Sequence, residues 1–276
     1  MRATHRVLCF LAAVMPVAAA APAGAVPLLV PHRAVYELSL ADSTEQSGIL
    51  GLAGRMVYEF AGSVCDGYTT TFRYVTRIDT EEESRFTDQQ TTSFEDGEGK
   101  SFSFVNKSFV DQKLEREVKG SATVFDDGIA VRLDKPEHKS VTLEKSQFPT
   151  GHLLELIEKA RSGEHFYATT LFDGSDGGDR LMTTTVVVGD SEQAADTDPE
   201  LKALDSMRED RFWPVEMAYF DLSEGNGDEV PSYRMAFKLY ENGVTRDLLM
   251  DYGEFAMTGR LVKLDLFKPA GAACSQ

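Results

Sequence analysis

The chain has 276 residues, 42% apolar and 26% charged, and its 45 acidic against 28 basic residues give a formal charge of −17. That apolar content supports a sizeable core and excludes a disordered chain, while the acidic surface disfavours nucleic acid and anionic lipid headgroups as partners. Seventeen Phe and nine Tyr favour strands with paired aromatic rings.

The N-terminus reads as an export signal. Arg2 and Arg6 precede an apolar run from Val7 to Ala20, and Ala23-Gly24-Ala25 forms a small-residue cleavage site. Residues 1–25 are therefore expected to be removed after Ala25, leaving 26–276 as one exported mature domain. The run is too short for a confident membrane span, and no second stretch of the mature chain approaches one. Cleavage removes two positive charges and makes the mature chain still more acidic. It also removes Cys9, one of three cysteines, and leaves Cys65 and Cys274. In an exported chain two remaining cysteines are best read as one disulfide. Its loop of about 209 residues would restrict the unfolded chain by roughly 5 kcal/mol at most.

In chain order, His32 to Leu40 alternates, with Ala34, Tyr36, Leu38 and Leu40 on one face. Arg55 to Phe60 alternates again, with Met56, Tyr58 and Phe60 together. Gly62 to Gly67 is a turn carrying Cys65. Tyr68 to Ile78 is the clearest strand, with Tyr68, Phe72, Tyr74 and Ile78 on one side and Arg73 and Arg77 on the other. Thr91 to Glu95 and Lys100 to Asn106 flank a turn at Asp96–Gly99. Lys107 to Lys119 keeps a two-residue period and reads as one strand, and Ser121 to Leu133 as a hairpin about Asp126-Asp127-Gly128.

One helix is expected, over Gly151 to Arg161. Thr150 would be its N-cap, Leu153, Leu154, Ile157 and Ala160 its apolar stripe, and Ser162-Gly163 its stop. Strands follow at Phe166 to Phe172, Arg180 to Gly189 and Phe212 to Leu222. Between the last two, an acidic excursion carries a short helix near Pro199 to Leu204. After a Gly-rich loop at 223–231, a meander runs to Phe267 with turns at Asn242-Gly243 and near Gly259. About a dozen strands joined by short turns argue a mainly β fold, one large antiparallel sheet, closed or curled, with one amphipathic helix.

Chemistry is sparse in this reading. His32, His138, His152 and His165 lack metal-ligand spacing and are expected at the surface. There is no nucleophile elbow, phosphate loop or dinucleotide fingerprint, so no catalytic residue, metal site or cofactor is expected. The Asp173–Asp179 loop resembles a calcium loop only superficially: Gly177 stands where a ligand belongs and no Glu closes it. A structural turn is favoured there. The Thr- and aromatic-rich strands either line a cavity for an apolar ligand or form simple core.

Several runs carry a family resemblance: G-L-A-G-R-M-V-Y-E-F-A-G-S-V-C-D-G-Y, then T-x-F-R-Y-V-T-R-I, with H-R-A-V-Y-E-L-S-L upstream and F-P-T-G-H-L, F-D-G-S-D and a late cysteine downstream. Over essentially the whole mature chain it resembles the EipB family of cell-envelope integrity proteins. The resemblance implies export to the periplasm of Gram-negative bacteria and a β-spiral of about fourteen strands with a helix, similar to carriers that move lipoproteins between membranes. It also implies a disulfide matching Cys65–Cys274 and support of the envelope under stress, and it brings no catalytic residues. The leading expectation is a non-enzymatic periplasmic protein that binds a lipid-like ligand or an envelope protein. The alternatives are a hydrolase of an envelope polymer using an Asp/Glu pair, and a purely structural interaction module.

Overall fold

The computed structural model describes residues 29–221 and 230–268. Fifteen strands share one sheet: β1 (His32–Ser43), β2 (Ile49–Ser63), β3 (Gly67–Thr80), β4 (Ser84–Glu95), β5 (Ser101–Val110), β6 (Lys113–Phe125), β7 (Gly128–Lys135), β8 (Lys139–Leu143), β9 (Phe166–Leu171), β10 (Met182–Val188), β11 (Glu192–Gln193), β12 (Arg211–Phe220), β13 (Tyr233–Tyr240), β14 (Thr245–Asp251) and β15 (Phe255–Leu266). The order is β8-β7-β6-β5-β4-β3-β2-β1-β15-β14-β13-β12-β10-β9, with short β11 beside β12, and every ladder between these strands is antiparallel. The long antiparallel meander is the architecture that the alternating pattern predicts.

The buried side of β1, β2 and β3 is the one whose residues the alternation groups together. On β1, Ala34, Tyr36 and Leu38 are buried, and their neighbours across the ladder include Tyr58, Met56 and Leu261. A flat sheet of this width would leave that face in water, so it curls. The curl brings together strands remote in sheet order: the hydroxyls of Tyr74 on β3 and Tyr252, just past β14, interact across the interior.

The two ends of the sheet meet without a ladder. One parallel bridge joins Gln147 to Leu171. The Asp173–Asp179 loop makes the rest of the joint. Asn106 Nδ2 donates to the Gly174 carbonyl at 2.8 Å, and Lys139 Nζ lies 2.5 Å from Asp179 Oδ2. Gly174 has φ +71°, and a Cβ there would lie 2.5 Å from the Phe104 ring, so glycine fits both the backbone and the space. Phe172 leads into the loop and packs with Phe102, Phe104 and Phe148 as a second core.

Helix α1 (Pro149–Ser162) lies against the inner face. Leu156, Ile157 and Ala160 join the main core, and His152 Nε2 sits 3.3 Å from Thr184 Oγ1 on β10. The helix stops at Gly163 in the left-handed conformation, as expected. Its start differs from expectation. Phe148 occupies the N-cap and Thr150 is inside the first turn. The capping oxygens come from far away: Glu95 at the end of β4 accepts from the N–H groups of Thr150 at 2.7 Å and Gly151 at 3.0 Å.

Other expectations are corrected. His32 and His152 are buried, not superficial. Lys107 to Lys119 is broken by a turn at Asp111-Gln112, both at positive φ; without a glycine, that turn left no mark on the alternation. The turn after β14 lies at Tyr252–Glu254, whereas Gly259 is inside β15, where a Cβ would lie 3.2 Å from Leu248. A second short helix, α2 (Leu201–Leu204), forms in the acidic excursion as predicted. The predicted leader, the Gly-rich loop at 222–229 and Cys274 fall outside the described residues.

Candidate ligand-binding site

Alternation and register set two kinds of inner wall. Along β1, β10 and β12 the inward residues, among them Tyr36, Val186 and Met217, are buried under α1 and facing strands. Beyond buried Tyr68, Glu95, Phe102 and Phe104 at one end, the inward residues of β3, β4 and β5 remain half-exposed. In register across these three strands stand Phe72, Thr91 and Asn106, then Tyr74, Gln89 and Ser108, then Thr76, Thr87 and Val110. Only Thr76 among these nine is fully buried. Most of these positions carry hydroxyls or amides. They satisfy one another: Gln89 Nε2 donates to Ser108 Oγ at 2.7 Å, and the Thr76 and Thr87 hydroxyls lie 2.6 Å apart.

An aromatic wall flanks them. Tyr219 on β12 and Tyr233 on β13 have ring centroids 5.4 Å apart, Tyr233 and Tyr252 4.9 Å, and Tyr252 and Phe255 4.9 Å. Tyr74 joins from the β3 side and stacks with Phe72 at 6.4 Å. Burial pushes the Tyr74, Tyr219, Tyr233 and Tyr252 phenols far above their ordinary value, and neighbouring phenols add to the shift. These side chains are therefore neutral hydrogen-bonding groups throughout the physiological range. The three rows on β3–β5 carry no charged side chain, but on β6 they continue to Arg116 opposite Ser108 and Lys113 opposite Val110, and Arg85 pairs Ile78 in the next row. Asp173, the carboxyl that approaches Tyr219, accepts from the Ser175 N–H at 2.8 Å, and burial raises its pKa.

The sheet's opposite face carries the concentrated charge. Arg246 is wholly buried between the rings of Phe212 and Tyr240 and donates to Asp198 Oδ2 at 2.8 Å and Glu200 Oε2 at 2.9 Å. Lys238, its register partner, lies 2.8 Å from Asp247. A groove of about 550 Å³ runs alongside, lined in part by Asp198, Glu200, Lys238 and Arg260. This is the nearest approach to the Asp/Glu pair a hydrolase would use. All four carboxylate oxygens are engaged in holding the fold. Asp198 Oδ1 accepts from the Glu200 N–H, and Glu200 Oε1 accepts from the N–H groups of Asp247 and Leu261. Burial raises the pKa of Asp198, but the Glu200 N–H and the Arg246 guanidinium outweigh it and hold the carboxyl below its usual range. Glu200 thus replaces a strand partner where the β14–β15 ladder ends at Leu248–Gly259.

Of the sequence-predicted site residues, Cys65 lies in the exposed β2–β3 turn, its N–H on Ser63 Oγ at 3.2 Å, and Cys274 lies outside the described residues. The strand leading toward Cys274 ends close by in register: Leu266 pairs His32, and His32 pairs Phe60 near the end of β2. Among the described residues no cluster of three or more His, Cys, Asp or Glu could hold a metal, and no helix is long and apolar enough to cross a membrane. Sequence reasoning placed Phe72 and Tyr74 on one face of their strand. It missed that Tyr219, Tyr233 and Tyr252 would meet them, since that depends on the curl.

The comparisons agree with this architecture. A solved β-barrel-like protein of the domain of unknown function DUF1849 from Brucella abortus superposes with a TM-score of 0.83 at 54% identity, covering 87% of this chain and 99% of that one. The cell envelope integrity protein EipB of Brucella abortus (strain 2308) is 55% identical over 251 residues, 91% of this chain and 89% of its own length. The EipB-like family model matches residues 23–268, and the chain belongs to the EipB-like family.

Proposed function

We propose that this chain supports cell-envelope integrity as a non-enzymatic binding protein that holds a lipid-like ligand against the inner face of its curled sheet. The envelope role rests on kinship with the envelope integrity protein at 55% identity. The binding role rests on one observation: the inner side of β3–β5 along the rows of Thr91, Gln89 and Thr87, with the tyrosine wall beside it, is half-exposed and lined by hydroxyls, amides and aromatic rings. Ligand sites combine an apolar lining with a few placed polar groups, and this zone has that composition. The protein works in the periplasm after cleavage at Ala25, with Cys65 bonded to Cys274. Cys274 stands six positions past Lys268, a reach of about 20 Å when extended, and β15 ends in register beside β1, which pairs the end of β2 before the Cys65 turn.

Native mass spectrometry of the mature protein purified from periplasm tests the binding role. A bound apolar species that is lost on denaturation is expected. Ligand-free protein that also fails to take up a fluorescent acyl probe would overturn it.

A further inference from the structure

Resting on that reading, we infer the class of chain the site takes: acyl chains of differing shape, whether straight, cis-unsaturated or branched, accepted alike because a row of methionines forms the floor of the site. Met217 on β12, Met235 on β13, Met250 on β14 and Met257 on β15 are successive register partners. Partners on one face of an antiparallel sheet have Cβ atoms about 4.5–5.5 Å apart, so the four thioether chains form one continuous strip. The whole chain has nine methionines, and four of them stand in this row. Met56, half-buried and in register with Tyr74, adds another on the β2–β3 side of the interior.

The position of the strip matters as much as its composition. The next row on one side holds Tyr219 and Tyr233, both half-buried, and continues to exposed Tyr252. The next row on the other side holds Val215 and Phe237, both buried. The methionines therefore lie where the accessible tyrosine wall gives way to the sealed core. Met235 is half-buried, and Met217, Met250 and Met257 are buried beside it. An apolar chain laid along the tyrosine rings meets this strip before any other part of the core. Methionine is unbranched, turns about several bonds and carries a polarizable sulfur that packs well against aromatic rings, so it repacks around an irregular surface. A β-branched side chain holds one shape. A floor of stiff side chains selects among chain shapes, whereas a methionine floor follows the chain that arrives.

The test displaces a fluorescent acyl probe from the mature protein with stearate, oleate and isostearate, each below its micelle concentration. The three share a carboxylate and a carbon number and differ in chain shape alone, so the headgroup's contribution cancels. Wild-type protein is expected to bind all three with comparable affinity. Replacing the row together, by Met217→Ile, Met235→Ile, Met250→Ile and Met257→Ile, keeps apolar character and strand preference but stiffens every side chain. That variant is expected to separate the three ligands by about tenfold, the size of a modest overpacking penalty. Met235→Ile alone, at the half-buried position, is milder and is expected to separate them by a smaller factor if the fourfold variant fails to fold. A wild-type protein that itself separates the three by about tenfold, or folded variants as indifferent to chain shape as the wild type, overturns the methionine assignment and leaves the lipid-like reading standing. Wild-type protein that binds neither the probe nor any of the three overturns both.

Discussion

Glu95 caps a helix it does not belong to: its carboxylate accepts from the Thr150 N–H at 2.7 Å and the Gly151 N–H at 3.0 Å, 55 and 56 residues along the chain. Burial raises the Glu95 pKa despite those bonds. The contact fixes the first turn of α1 to the end of β4 and so sets how the helix enters the interior. Glu95→Ala should cost about 1–3 kcal/mol, the penalty of leaving buried donors unpaired. Glu95→Gln, which retains one acceptor oxygen, should cost less. Urea unfolding followed by circular dichroism reads both; equal losses would contradict the capping role.

Arg246 and Glu200 form a second joint. Glu200 accepts from Arg246 and from the backbone N–H groups of Asp247 and Leu261. Removing one member of a buried ion pair leaves the other uncompensated, so Arg246→Ala should lose about 3–5 kcal/mol. Glu200→Ala should lose as much or more, since two backbone donors are stranded with the guanidinium. Unfolding midpoints check this; a loss below about 1 kcal/mol for either would show that water replaces the pair.

The buried histidines set an acid limit. Burial lowers the pKa of His32 and His152 below the ordinary value near 6.5, against the opposing effects of the Val30 carbonyl and Glu155 respectively. A depressed folded-state pKa means that the unfolded chain binds protons first. Their contribution is present above about pH 6.5 and is lost as pH falls through the folded values. Stability should therefore drop between neutral pH and pH 5, and His152→Gln should flatten part of that slope. A profile unchanged by the substitution would contradict the assignment for His152.

The Cys65–Cys274 bond is checked by non-reducing mass spectrometry of the exported protein. No alkylatable thiol is expected, and reduction should lower stability by at most about 5 kcal/mol. Two alkylated cysteines in the native protein would refute the pairing.

The strands were legible because residues such as Tyr36, Tyr58 and Phe72 mark their inner face every second position. Helix α1 was legible from its spacing and from Gly163, but its cap was not: Glu95 lies on another element, and no local signal ties it to Thr150. The same limit applies to the site. Phe72 and Tyr74 could be placed on one face, yet their meeting with Tyr233 and Tyr252 depends on the curl of a fifteen-stranded sheet. The Asp173–Asp179 loop could be read as a turn, while its partners, Asn106 and Lys139, became visible only in three dimensions. Local periodicity reports which way a side chain points; it does not report what it meets across an interior.

The central claim is that a lipid-like ligand lies on the half-exposed inner face of β3–β5. Its most direct test is uptake of a fluorescent acyl probe by the wild-type mature protein and by Gln89→Glu, which puts one charge of nearly unchanged shape on that face. The account predicts saturable uptake by the wild type and loss of uptake by the variant, with its circular dichroism unchanged. Equal uptake by the two proteins, or none by the wild type, would contradict it.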